Sequence, residues 1–100
     1  MRVHFAPQAR AQYLEALNHV RSQSPAAADG IQLRAEAVIM QLSAHPRSGH
    51  AIPAFPDLPH LEIPVGPYRF FYRITESTVW IVGVWHARQL PEPPDATMRG

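Results

Sequence analysis

The chain has 100 residues, 46% of them hydrophobic and 17% charged, with a formal net charge of +1. That length suits a single domain, and that composition supports one packed core rather than a disordered chain. Cysteine is absent, which excludes a disulfide-stapled module and thiolate metal sites. No apolar run approaches the roughly 20 residues of a bilayer span or has the form of a signal peptide, so a cytoplasmic location is expected.

All nine basic residues are arginine. A guanidinium fork suits phosphate and carboxylate partners, but a net charge this close to zero does not favour indiscriminate nucleic-acid binding. Any such role needs a local cluster.

In chain order, residues 2–5 (Arg-Val-His-Phe) alternate polar and apolar and predict a short first strand. Pro7 then stands where the first turn of a helix tolerates proline. Ala9, Tyr13, Ala16, Leu17 and Val20 form one apolar stripe at helical spacing. Ser24-Pro25 stops this helix and starts the next, with Ser24 as N-cap and Pro25 as first helical residue. Ile31, Ala35, Val38, Ile39 and Leu42 repeat the stripe, and Pro46 ends the second helix near His45. The two helices predict an αα-hairpin. Residues 46–59, with Pro46, Pro53, Pro56, Pro59 and Gly49, show little periodicity and predict a connecting loop.

The second half predicts strand. Leu61, Ile63 and Val65 alternate, Gly66-Pro67 makes a turn, and Tyr68 to Thr75 and Val79 to His86 are β-rich runs. If Glu76-Ser77 is a two-residue loop, Thr75 pairs with Thr78 and the hairpin register follows. One face then pairs Ile74 with Val79, Tyr72 with Ile81, Phe70 with Gly83 and Tyr68 with Trp85. The other pairs Arg73 with Trp80, Phe71 with Val82 and Arg69 with Val84, with His86 next along. The expected fold is α+β: an N-terminal strand, an αα-hairpin and a three-stranded antiparallel meander. The helices cover one sheet face, and the other is partly open. Residues 1–90 make the single domain and 91–100 a Pro-rich C-terminal tail.

Several ordered segments carry a family resemblance. They are Ala6-Pro7-Gln8-Ala9 after the first strand, Ser24-Pro25 between the helices, and Leu42-Ser43-Ala44-His45-Pro46-Arg47-Ser48-Gly49 at the end of the second helix. The strongest are Pro64-Val65-Gly66-Pro67-Tyr68-Arg69-Phe70-Phe71-Tyr72-Arg73-Ile74 and Val82-Gly83-Val84-Trp85-His86-Ala87-Arg88. Together they resemble the RelE/ParE superfamily of bacterial type II toxins, closer to the ParE branch. The resemblance implies a toxin that poisons DNA gyrase by binding it and is neutralised by a cognate antitoxin. The RelE branch instead cuts ribosome-bound messenger RNA, and a third reading is a non-toxic binding scaffold of the same fold.

Arg69 matches the arginine that RelE-like nucleases set against the scissile phosphate. The lysine-rich strand beside it is here Leu61-Glu62-Ile63-Pro64-Val65, and no tyrosine follows His86. Cleavage needs a base, an acid and charge stabilisation, so Arg69, His86 and Arg88 form only a partial nuclease set. The residues expected to meet target or antitoxin are Arg69, Arg73, Trp80, His86 and Arg88. Arg73 opposite Trp80 also suits a purely structural cation–π pair. His45, His50 and His60, with Asp57, match no dense metal motif, so neither metal nor cofactor is expected.

Overall fold

The computed structural model describes residues 1–89. The elements are β1 (Arg2–Phe5), α1 (Pro7–Gln23), α2 (Pro25–Ala44), β2 (His50–Ala51), β3 (Leu61–Val65), β4 (Tyr68–Thr75) and β5 (Thr78–His86). The expected helical joint is present: the Ala27 N–H donates to Ser24 Oγ at 3.2 Å, and Pro25 opens α2. An Arg21–Asp29 ion pair at 3.0 Å spans the same joint from one helix to the other. His45 caps α2, one residue before Pro46.

One mixed sheet has the strand order β1-β5-β4-β3-β2. The expected meander is β3–β4–β5, and the structure adds a strand on each side of it. β1 joins β5 in parallel through the helical crossover, and the two-residue β2 pairs His50 with Glu62 and Ala51 with Leu61. The segment expected to be loop throughout therefore contains a strand. The last strand, β5, lies inside the sheet between β1 and β4.

The hairpin register follows expectation from Thr75↔Thr78 to Tyr72↔Ile81 and then departs from it. An irregularity between Phe71 and Tyr72 leaves Val82 as the extra residue. Beyond it Phe71 pairs with Gly83, Phe70 with Val84, Arg69 with Trp85 and Tyr68 with His86. A one-residue shift moves every later side chain to the other face, so Val84 and His86 turn towards the helices.

Two apolar clusters result. Ala9, Ala35, Val38 and Leu42 of the helices pack with Ile63, Val65, Phe70, Tyr72, Val79, Ile81 and Val84. On the second face, Ile52 packs with Phe71 and Val82, flanked by Phe55 and Trp85. This face is thus more covered than expected, because the segment after β2 folds over it. Gly49 makes that return possible: its N–H donates to the buried Tyr72 hydroxyl at 2.9 Å. A Cβ there would stand 2.6 Å from both that hydroxyl and the Glu62 carbonyl oxygen. We expect Gly49→Ala to lower unfolding free energy by about 2–3 kcal/mol in urea titrations, as overpacking does, and Tyr72→Phe by about 1 kcal/mol.

Candidate functional site

The second sheet face carries the charged side chains, and their arrangement starts from a carboxylate. Glu62, alternating outward from the helices on β3, is only 5% exposed at its side chain. Its Oε2 accepts from Arg69 Nη1 at 3.3 Å, and its Oε1 lies 3.4 Å from His50 Nε2. Arg69 also donates from Nη2 to the Gln89 carbonyl at 3.3 Å, and its guanidinium carbon lies 5.6 Å from the Phe71 ring centroid. The Arg69 side chain is 22% exposed. A guanidinium held by a carboxylate, a carbonyl and a ring is already committed within the fold. Glu62 was visible in the sequence only as a carboxylate in place of lysine. The signal that identifies its role is a lone acid within an apolar strand, diagonal to an arginine one strand away.

A second row crosses the same face. His4 pairs in register with Trp80, and Trp80 with Arg73. The His4 and Trp80 rings lie 5.4 Å apart, tilted by 37°. Trp80 is 37% exposed and Arg73 half-buried. His60, one residue before β3, is 4% exposed, and neither ring nitrogen has a hydrogen-bond partner among the described residues. Burial first, and then the nearby Arg73 charge, push its imidazole below the ordinary value of 6.5.

His86 lies elsewhere. The bulge places it against Tyr68 on the helix side, with ring centroids 5.4 Å apart and planes at 83°. This corrects the expected placement beside Arg69 and Arg73. Its Nδ1 accepts the Arg88 N–H at 3.1 Å, which leaves the ring proton of the neutral form on Nε2. Arg88 is exposed in the turn after β5. The structure therefore brings Arg73 and Trp80 together, ties Arg69 to Glu62 further along the same face, and sets His86 on the opposite face. Among the described residues, no group of three or more histidine or acidic side chains is placed to hold a metal. No helix there is long and apolar enough to cross a membrane.

A strand, an αα-hairpin and a meander closed by a parallel first strand define an α+β domain with its helices on one face of a mixed sheet. Residues 3–91 match the model for the ParE toxin of the type II toxin–antitoxin system parDE, and the chain belongs to that family. The fold is similar to a solved structure titled as the chromosomal ParDE TA system from P. aeruginosa. The TM-score is 0.68 at 14% identity, over 86% of this chain and 95% of that one. Identity at that level supports the shared fold alone. A comparison with curated proteins returned no match.

The state of His60 has a measurable consequence. Below pH 6.5 an unfolded histidine takes a proton that the folded one resists, so stability falls as pH drops from 6.5 towards the depressed folded value. The urea midpoint of the wild-type chain should therefore fall between pH 7 and about 5, measured by tryptophan fluorescence. His60→Leu should flatten that part of the profile. An unchanged slope in the variant would assign the pH dependence to other groups.

Proposed function

We propose that this chain arrests bacterial growth by binding DNA gyrase in the cytoplasm, without cutting nucleic acid itself, and that a cognate antitoxin neutralises it. The observation that carries this reading is the separation of Arg69 from His86. Phosphodiester cleavage requires charge stabilisation and proton transfer at one phosphate. Here the guanidinium is bound to Glu62 and Gln89 on one sheet face, and the imidazole packs on Tyr68 on the other. That arrangement favours a binding inhibitor over a RelE-like nuclease. The surface best suited to contact is the half-exposed Trp80 with His4 and Arg73, because a large aromatic beside a cation is a common anchor at protein interfaces.

Purified chain added to a supercoiling reaction should inhibit gyrase or trap cleaved DNA. Trp80→Ala should weaken that inhibition by about 30-fold, the usual effect of losing an interface anchor. Cleavage of ribosome-bound message with gyrase unaffected would favour the nuclease. Soluble expression without any growth defect would favour the inert scaffold.

The antitoxin should be acidic where it meets Arg73 and Arg88, since desolvated guanidinium groups take carboxylate or carbonyl partners. Co-purification of the pair should weaken on Arg73→Glu, with calorimetry showing at least a tenfold loss, in the range of about 1.4 kcal/mol or more for a charge-assisted contact. A pair unaffected by that reversal would move the antitoxin contact away from this face.

A further inference from the structure

Gln89, just after β5, is held at three atoms. Its N–H donates to the His86 carbonyl at 2.9 Å, and its Oε1 accepts the His86 N–H at 2.8 Å. Its own carbonyl accepts from Arg69 Nη2 at 3.3 Å, on the second sheet face, where Arg69 also meets Glu62. The chain therefore leaves Gln89 from a fixed point at one end of that face. Towards the other end Arg73 stands in register with Trp80. Four β4 residues separate Arg73 from Arg69, about 13 Å along the strand.

The sequence beyond Gln89 matches this face in charge, reach and conformation. It carries Pro91, Pro93 and Pro94, with the acids Glu92 and Asp95 ahead of its one cation, Arg99. The face offers cations: Arg73, with Arg2 and His4 alternating onto the same side of β1. Its strand acid, Glu62, is already tied to Arg69. Prolines favour an extended polyproline II path that rises about 3.1 Å per residue. On such a path Glu92 lies about 9 Å and Asp95 about 19 Å from Gln89, which brackets the distance to Arg73. The interval leaves room for the detour over the loop that covers Phe71 and Val82. Proline has no N–H for a ladder, and polyproline segments pack instead on exposed aromatic rings, such as the Trp80 indole. We propose that residues 90–100 dock across the Trp80–Arg73 row of their own chain, prolines on the indole and carboxylates on the guanidinium. The segment then occupies the contact surface assigned above, and a partner must displace it to bind there. That last consequence rests on the assignment; the docking does not.

The test places a nitroxide label on this segment of the full-length chain. Thr97→Cys gives one attachment site, since the chain has no cysteine, and 15N NMR reads which amides the label broadens. Expected is strong broadening at His4, Arg73 and Trp80, with Leu14 and Leu33 on the helices little changed. Glu92→Gln combined with Asp95→Asn should reduce the broadening at Arg73 by at least about twofold, and so should salt at about 1 M. All three substitutions lie beyond the last element of the fold. Equal broadening of both faces, broadening centred on the helices, or no response to the double substitution overturns the proposal. Broadening passed from a labelled chain to an unlabelled 15N chain assigns the segment to a second copy, and overturns it too. Without the label, the double variant should inhibit gyrase about threefold more strongly, because an internal competitor is weakened. Docking seen by NMR with inhibition unchanged upholds this inference and counts against the row as the gyrase contact.

Discussion

A carboxylate placed under a protein surface must be met by charge and hydrogen bonds where it stands, and Glu62 imposes that requirement on the whole second face of the sheet. Arg69 answers from β4, and His50 approaches from β2. The Glu62 backbone also pairs with His50, and its carbonyl sits against Gly49, so one residue binds the returning loop through main chain and side chain together. With that loop in place, Ile52 and Phe55 cover Phe71 and Val82. The arginine that would otherwise be free to seek a phosphate becomes internal scaffolding.

Much of this architecture was legible in the residues. Apolar stripes at helical spacing, the Ser24-Pro25 joint and the two-residue Glu76-Ser77 loop gave both helices and the start of the hairpin register, because each is decided by local sterics and by one buried face. The bulge was not read, although Gly83 marked it. A glycine inside a β-rich run often signals an irregular strand, and a Cβ at Gly83 would stand 3.2 Å from Trp85 Nε1. The one extra residue beside it, Val82, moved His86 across the sheet and split the candidate set. β2 was invisible for a different reason: two residues carry no periodicity, and their pairing is dictated by β3. The place of β5 inside the sheet is a matter of topology, which alternation within a strand does not encode.

The two faces consequently carry different capacities. The helix side buries Phe70 and Tyr72 against the helices, while Phe71 packs under the returning loop on the other side. The other side presents a tryptophan, a histidine and an arginine in one cross-strand row above an internal ion pair. Arg69 is tied to Glu62 on this face, and Arg73 stands in register with Trp80.

The pairing of the first strand with the last has a consequence for how the chain comes into being. Among the described residues β1 finds its only strand neighbour in β5, more than 70 residues later in the sequence. No sub-assembly can close the sheet while a ribosome still holds the final strand, and non-local closure of this kind is slow compared with helix formation. A growing chain can form its helical hairpin early, but the tryptophan row waits for β5. The tryptophan row therefore exists only once β5 has emerged and joined β1, so a shorter nascent chain displays its helices without it.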